Sequence, residues 1–357
     1  MNLGIIGLTA SGKTTIFNAL TGANLETGTL SATGRLEVHS AAVDVPDERL
    51  EVLAPLFNPR KITHTKVTYA DIGGMSIGAG REGLSGLLVN ELEKMDGLLL
   101  IVRAFEDPQV PHPSETVDAK RDAEALATEF LLHDMVTVDR RLERLQEERG
   151  KGGRDRALID REIDLFERLA GILNDQTPLR HAGLRENELQ MLAGFGLLST
   201  IPQLVVLNLG EDQPLSTQEL VGLKDSSLGL QGKLEMEIAQ LDLEEQESFL
   251  GEYGLEQPGR QRAIQASYQM LDLISFFTGN EEEVRAWTLP QGGTCLQAAD
   301  TIHSDLARGF IRAEVIQWDT LVALGGMSEA RAAGQIRVEG KQGTVIDGDL
   351  VYIRFNV

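Results

Sequence analysis

The 357-residue chain has little cysteine, few aromatic residues and no long apolar run, and each shortage excludes a class of protein. Cys295 is the only cysteine, which excludes an intrachain disulfide and a cysteine metal cluster. No apolar run reaches the length of a membrane span, and the first residues lack the basic region of a signal peptide, so we expect a cytoplasmic protein with no membrane partner. Aromatic residues make up 5% of the chain and provide no evident base-stacking platform, so any RNA contact would rely on shape and backbone.

Positive charge is scarce as well. Lys and Arg number 33 against 55 Asp and Glu, which gives a formal net charge of −22. This balance argues against non-specific nucleic-acid binding over the whole surface, although a local basic face can still dock on RNA. The length predicts two or three domains, and the remaining composition is that of an ordinary globular protein.

The strongest motif is the run Gly7-Leu-Thr-Ala-Ser-Gly12-Lys13-Thr14, which fits the phosphate-binding loop G-x-x-x-x-G-K-[ST]. A short apolar strand precedes it and an amphipathic helix follows it, as the chemistry requires. Gly7 and Gly12 allow the backbone to turn its N–H groups toward phosphate oxygens. Lys13 is predicted to bridge the β- and γ-phosphates, and the Thr14 hydroxyl to bind Mg²⁺.

A second motif, Asp71-Ile-Gly73-Gly74, ends the alternating strand 65–70 and matches the D-x-x-G of P-loop GTPases. Asp71 is predicted to hold Mg²⁺, directly or through water, and the backbone N–H of Gly73 or Gly74 to sense the γ-phosphate. Met75 follows, where many GTPases have the glutamine that orients the attacking water. An apolar side chain cannot orient water, so another group must do so.

The base-binding motif is altered. A buried strand leads to Asn208-Leu209-Gly-Glu211, where GTPases have N-K-x-D, and Gln231-Gly232 takes the place of the last base-contacting loop. Glu211 is one methylene longer than aspartate and Leu209 replaces the lysine, so the guanine clamp is compromised and ATP becomes a candidate beside GTP. The predicted nucleotide-binding residues are Gly7, Ala10, Ser11, Gly12, Lys13, Thr14, Thr15, Gly74, Asn208, Leu209, Glu211, Gln231 and Gly232.

A long helical segment separates these motifs. Between about 116 and 173, apolar residues recur at helical spacing among charged ones, which predicts two helices joined by a turn at 151–154. We expect an antiparallel hairpin inserted in the nucleotide domain. The basic residues at its tip could meet RNA, but a solvated turn is the favoured alternative.

Together these motifs resemble the YchF or Obg-like ATPase family over essentially the whole chain. The stretches that carry the resemblance are 45–50, 70–74, 102–107 and 208–211, and in the C-terminal third 276–278, 283–288, 299–303, 309–315 and 352–357. The resemblance implies an α/β fold in which a P-loop NTPase parallel sheet carries the helical hairpin and is followed by a β-grasp (ubiquitin-like TGS) domain. The predicted domains are 1–115 with 200–277 for nucleotide, 116–199 for the insertion and 278–357 for TGS.

The resemblance also implies a function. It points to a Mg²⁺-dependent protein that slowly hydrolyses ATP or GTP and acts as a translation or stress-related switch on the ribosome, at its large subunit, or on tRNA. We expect a monomer. His112 aligns with a loop histidine that has been considered as the water-orienting group, and Asn208 and Glu211 match an N-x-x-E motif associated with ATP. Ala10 departs from the family asparagine that assists a monovalent cation, so potassium stimulation is not expected.

Two other functions remain open. The chain can be an adaptor whose hairpin and β-grasp domain hold the ribosome or tRNA, with nucleotide serving as a structural ligand. A metabolic kinase would keep the phosphate loop but leave the β-grasp domain unexplained, and it ranks last. Slow hydrolysis is expected because Met75 replaces the glutamine and the first hundred residues show no evident arginine finger.

Overall fold

A computed structural model describes residues 1–27, 37–73, 84–151, 155–217 and 224–356. The strands, numbered along the chain, are β1 (Asn2–Gly7), β2 (Val38–Asp44), β3 (Lys61–Thr63), β4 (Lys66–Ile72), β5 (Gly97–Arg103), β6 (Gln203–Asn208), β7 (Ser226–Leu230), β8 (Leu273–Gly279), β9 (Glu283–Pro290), β10 (Phe310–Gln317), β11 (Arg337–Glu339) and β12 (Asp349–Phe355).

The helices are α1 (Lys13–Thr21), α2 (Glu48–Phe57), α3 (Gly86–Leu92), α4 (Ala119–Lys151), α5 (Arg156–Asn174), α6 (Glu186–Leu192), α7 (Gly232–Ile238), α8 (Leu243–Glu252), α9 (Gly259–Met270), α10 (Cys295–Ile302), α11 (Ser304–Arg308), α12 (Trp318–Leu324) and α13 (Met327–Ala332). Within the described ranges, no helix is both long and apolar enough to cross a membrane. The chain divides into two compact units, 1–42 with 68–266 and 43–67 with 267–357.

The first unit is built on a six-stranded sheet of order β2-β4-β1-β5-β6-β7. The pairs β1–β4, β1–β5, β5–β6 and β6–β7 are parallel. All seven residues of β5 are buried, as its unbroken apolar run predicts for a strand covered on both faces. Because the strands are parallel, the carboxyl ends of β1, β4, β5 and β6 meet at one edge, where open α/β sheets bind their ligands.

The predicted helical insertion is present as α4 and α5. Buried apolar residues that pack the two helices together recur every seven positions on both helices, which is the spacing of coiled-coil packing. These residues are Leu131, Val138 and Leu145 on α4 and Ile159, Phe166 and Leu173 on α5. Closer to its start, α4 packs Leu126 and Phe130 into the core of the sheet. The predicted turn lies mainly at 152–154, outside the described residues.

A buried carboxylate anchors α4 to the end of the insertion. Asp134 accepts hydrogen bonds from the backbone N–H groups of Leu198 and Ser199, each at 2.8 Å. Burial raises the pKa of Asp134 to about 6, and the bonds from Ser199 and Leu198 offset part of that rise.

The second unit contains a mixed sheet of order β11-β10-β12-β8-β9-β3. Two antiparallel pairs, β8–β9 and β10–β11, flank the last strand, β12, which is parallel to β8. The helix α10 lies in sequence between them and packs Ala298 and Ala299 against one face of the sheet. This is the β-grasp arrangement, and the predicted fold class is confirmed. The sheet already includes β8, which begins at Leu273, five residues before the predicted TGS boundary.

Residues 43–67 join this second unit, although the sequence-based boundaries assign them to the nucleotide domain. The strand β3 pairs in parallel with β9 at the edge of the sheet. The helix α2 buries Leu50 and Leu53 in an apolar cluster with Phe277. An amphipathic helix must bury its apolar stripe, and for α2 the structure places that stripe on the β-grasp sheet. The other domain boundaries remain predictions.

Candidate functional site

The loop between β1 and α1 has the backbone that the phosphate-binding motif predicts. Ala10 and Gly12 both have positive φ, at 62° and 88°, and Gly12 is the N-cap of α1. A Cβ atom at Gly12 would collide with the side-chain amide of Asn208, and one at Gly7 would collide with the carbonyl of Ile101. Glycine is therefore required at both positions by conformation or by space. Ala10 adopts the left-handed region without being glycine or asparagine, which stores a small strain in the loop.

The side chains of this loop are arranged to receive an anion. The ammonium of Lys13 donates to the carbonyl of Leu8 at 3.0 Å, so it already points back over the loop. Burial lowers the pKa of Lys13, and the neighbouring charge of Asp71 opposes that shift. The buried hydroxyl of Ser11 has no hydrogen-bond partner among the described residues. Buried polar atoms are seldom left unpaired, and this hydroxyl lies beside Gly7, where an added Cβ atom would come within 2.7 Å of it. Thr15 follows in the first turn of α1 and is half-buried.

The two predicted magnesium residues lie together. The Thr14 hydroxyl donates to Oδ2 of Asp71 at 2.8 Å, which links the start of α1 to the carboxyl end of β4. Burial raises the pKa of Asp71, while the bond from Thr14 and the charge of Lys13 lower it. Hydroxyl and carboxylate oxygens are ligands that Mg²⁺ prefers, and Mg²⁺ takes few protein ligands when phosphates supply the others. The described ranges contain no group of three or more His, Cys, Asp or Glu that could hold a metal unaided.

Asn208 connects the phosphate loop to the base-binding end of the site. Its amide nitrogen donates to the carbonyl of Ser11 at 2.9 Å, and its amide oxygen accepts from the backbone N–H of Gly232 at 3.2 Å. Both bonds are buried. The asparagine thus holds two of the predicted nucleotide-binding segments at a fixed separation, a structural role that the motif alone does not state.

The other residues of the altered base motif point in different directions. Leu209 is buried in the apolar cluster that also contains Leu207, so its side chain serves the core. Glu211 is exposed and forms an ion pair with Lys233 at 3.0 Å. Gln231 donates to the backbone carbonyl of Glu211 at 2.9 Å. The structure therefore brings together Asn208, Gln231 and Gly232, and leaves the Glu211 carboxylate paired with a cation at the rim.

Two residues of this region, Gln213 and Arg103, were not predicted as parts of the site. Gln213 accepts from the N–H of Gly210 and donates to the carbonyl of Ala104 at 3.0 Å, which ties the loops after β5 and β6 together. Arg103 is buried at the end of β5, donates to the carbonyl of Phe105 at 3.0 Å, and places its guanidinium 4.5 Å from the centre of that ring. The sequence did contain one indication of the role of Arg103, which is an arginine placed directly after the apolar run of β5.

His112, the predicted water-orienting residue, is buried in a hydrogen-bond network. Its Nδ1 accepts from the N–H of Ser114 at 3.1 Å, so the ring proton lies on Nε2, which donates to Asp122 at 2.8 Å. Asp122 also pairs with Arg121, which donates from Nη2 to Oδ1 at 2.8 Å. In this arrangement both ring nitrogens are engaged, and the imidazole can meet a water molecule only after the bond to Asp122 opens. The remaining predicted residue, Gly74, lies outside the described residues, as does Met75.

Comparisons with known proteins agree with this geometry. Residues 2–138 match the family model described as "50S ribosome-binding GTPase", and residues 273–356 match the YchF C-terminal model, described as "Protein of unknown function". The solved structure of the YchF GTPase of Schizosaccharomyces pombe shares the fold, with a TM-score of 0.83 at 24% identity over 99% of this chain and 97% of that one. Fold and motif positions define a P-loop nucleotide-binding protein.

Full-length relatives identify the family. The chain is 35% identical to the ribosome-binding ATPase YchF of Bacillus subtilis, over 100% of both chains. It is 36% identical to the ribosome-binding ATPase YchF of Haemophilus influenzae, over 99% of both. The chain therefore belongs to the YchF family, as its motifs predict.

Proposed function

We propose that this protein binds ATP with Mg²⁺, hydrolyses it slowly in preference to GTP, and uses the nucleotide state to regulate an association with the ribosome. The observation that carries the proposal is the 2.8 Å bond between Thr14 and Asp71 beside Lys13. It joins the phosphate loop to the D-x-x-G strand, which is the pair of elements that a switch NTPase uses to hold Mg²⁺ and respond to the γ-phosphate.

In this proposal the chain's own groups divide the work. The loop amides and Lys13 bind the phosphates, and Thr14 and Asp71 hold Mg²⁺, which supplies charge neutralisation at the phosphate oxygens. His112 orients the attacking water after leaving Asp122, and the need to break that bond contributes to a slow rate. The backbone N–H of Gly74 senses the γ-phosphate.

The preference for ATP rests on the base-binding end. A guanine clamp needs a free carboxylate aimed at N1–H and the 2-amino group, whereas Glu211 is paired with Lys233 at the rim. Leu209 cannot cover a base as the usual lysine stem does, because it is buried in the core. Loss of the clamp removes the discrimination against adenine rather than creating a new contact to it.

The association with the ribosome is supported by the names of the Bacillus and Haemophilus relatives, which match this chain over their whole length. We propose the same partner here, contacted at its large subunit or through tRNA by a monomeric protein in the cytoplasm. In this proposal the nucleotide bound at the phosphate loop regulates the association with the ribosome.

Calorimetric titration of nucleotide-free protein with ATP and GTP in the presence of Mg²⁺ tests the nucleotide proposal. Tighter binding of ATP supports it, and tighter binding of GTP shows that Glu211 leaves Lys233 to meet guanine. Co-sedimentation with ribosomes, in ATP, ADP and no nucleotide, tests the switch. If the same fraction of protein sediments with ribosomes in all three conditions, the adaptor function is favoured, in which nucleotide only stabilises the structure.

A further inference from the structure

One face of the β-grasp sheet is covered along half of its length only. On this face Ile316 of β10 lies opposite Leu350 of β12, and both are buried against α2 and α12. Side chains two residues along a strand lie on the same face, so Glu314 and its partner Tyr352 continue this surface. Tyr352 is 42% exposed, and the neighbouring Val338 of β11 is 63% exposed. This half of the face is therefore open.

Three arginines surround one carboxylate on the open half. Glu314 pairs with Arg354 at 3.1 Å, with Arg331 at 3.0 Å and, more loosely, with Arg312 at 3.8 Å. The hydrogen bonds from Arg354 and Arg331 lower the pKa of Glu314, so the carboxylate is ionised at neutral pH. The cluster of these three arginines with Glu314 and Tyr352, called the arginine patch below, carries a net charge of +2.

The three arginines of the arginine patch carry more positive charge than the one carboxylate of Glu314 neutralises. Arg312 and Arg354 are direct cross-strand partners, a position in which like charges repel, and Glu314 pairs with both of them and offsets part of that repulsion. A single carboxylate cannot neutralise three guanidinium groups, whose side chains are about half exposed. The remaining positive charge stands on an otherwise acidic protein of net charge −22.

The chemistry of the patch favours a polyanion with flat, stackable groups. Arginine forks bind phosphate oxygens through two parallel hydrogen bonds. The guanidinium of Arg354 lies 4.4 Å from the ring centre of Tyr352, so an aromatic surface borders the positive charge. Single-stranded nucleic acid offers repeated phosphates beside bases that stack on such surfaces.

We propose that the arginine patch binds the phosphodiester backbone of single-stranded RNA, with Arg312 and Arg354 on phosphates and Tyr352 against a sugar or base. The proposal gives the ribosome association proposed above a contact surface and rests on it for its biological setting. It does not depend on nucleotide binding or hydrolysis, since every residue of the patch lies in the second unit.

The test is fluorescence anisotropy of a fluorescein-labelled single-stranded RNA titrated with the intact protein between about 50 and 200 mM salt. The double variant R312Q/R354Q is expected to bind at least tenfold more weakly. Its plot of log affinity against log salt should be shallower by about 1.4, because each lost phosphate contact on a single strand removes about 0.7. The variant R312K/R354K keeps both charges but loses the bidentate forks, so it is expected to keep the salt slope of the unchanged protein and to bind with an affinity between that of the unchanged protein and that of R312Q/R354Q.

The matched control is R60Q/K61Q, which removes two exposed positive charges paired with Glu282 and Glu283 in the same unit. It is expected to change RNA affinity by less than about twofold. Equal weakening by this control would show that overall charge, not the patch, sets the affinity, and would overturn the proposal. Absence of RNA binding at low salt, or displacement of RNA by polyglutamate at equal charge, would overturn it as well. An ATP titration of R312Q/R354Q should be unchanged, which keeps this outcome separate from the nucleotide proposal.

Discussion

Replacing Asn208 with alanine should uncouple the phosphate loop from the base-binding end of the site. The asparagine amide bridges the carbonyl of Ser11 and the N–H of Gly232, at 2.9 and 3.2 Å, in a region without solvent. Alanine can make neither bond. It also leaves open the space beside Gly12, where the amide now lies against the loop backbone.

The magnitude follows from two backbone groups that lose their partner while they stay buried. Each such group costs about 1–3 kcal/mol, so N208A should lower the free energy of unfolding of the nucleotide unit by about 2–6 kcal/mol. ATP affinity should fall at least tenfold, because a loss of about 1.4 kcal/mol in loop preorganisation already corresponds to a factor of ten.

Urea unfolding and calorimetric titration with ATP would measure the two effects. Asn18 provides the control, since it is also buried and its side-chain amide bonds to the N–H and carbonyl of Leu25 and to the sulfur of Met236. N18A should lose similar stability but bind ATP within about threefold of the unchanged protein at a temperature where both are folded. Wild-type ATP affinity in N208A would refute the bridging role, and equal loss in N18A would show that general destabilisation explains both.

Three further predictions address the phosphate loop, the histidine and pH. K13A should reduce ATP affinity about 10- to 150-fold in calorimetry, because a hydrogen bond to a charged group is worth about 1.5–3 kcal/mol. An unchanged affinity would show that Lys13 does not contact the phosphates. D122N should raise ATP turnover about tenfold by releasing His112 from a charge-assisted bond, and the double variant H112A/D122N should lose that gain; a gain that survives H112A would contradict the proposed role. For Asp134, the folded-state pKa of about 6 lies above the ordinary aspartate pKa of 3.8, so its contribution to stability is full below about pH 4 and is lost as the pH rises through 6. This loss amounts to about 3 kcal/mol, and D134N should show a smaller fall in urea midpoint than the wild type between about pH 4 and 7.

The parts of the site that the sequence predicts are those made by short-range geometry. A glycine-bounded turn between a strand and a helix has few alternatives, and the conformations of Ala10 and Gly12 follow from residues no more than a few positions away. The contact of Thr14 with Asp71 was predictable too, because parallel strands deliver their carboxyl ends to a common edge.

Other parts depend on contacts that no local pattern records. The motif predicts that Leu209 meets the base, but which way its side chain points depends on the apolar cluster that it joins with Leu207. Gln213 gains its role from a bond to Ala104, more than a hundred residues earlier. The placement of α2 and β3 on the β-grasp sheet depends on β9, more than two hundred positions away, while their own amphipathic pattern fits either unit.

That placement also constrains how the protein is made. The segment 43–67, which carries α2 and β3, ends at Val67. This residue is synthesised 200 residues before Ser267, where the rest of the second unit begins. At about 5–20 residues per second, α2 and β3 wait roughly 10–40 s for the strands that they pack on. During that interval the nucleotide unit can complete its own sheet and hold the segment as a loop fixed at both ends. The strands synthesised last therefore complete a sheet with a segment that was synthesised long before them.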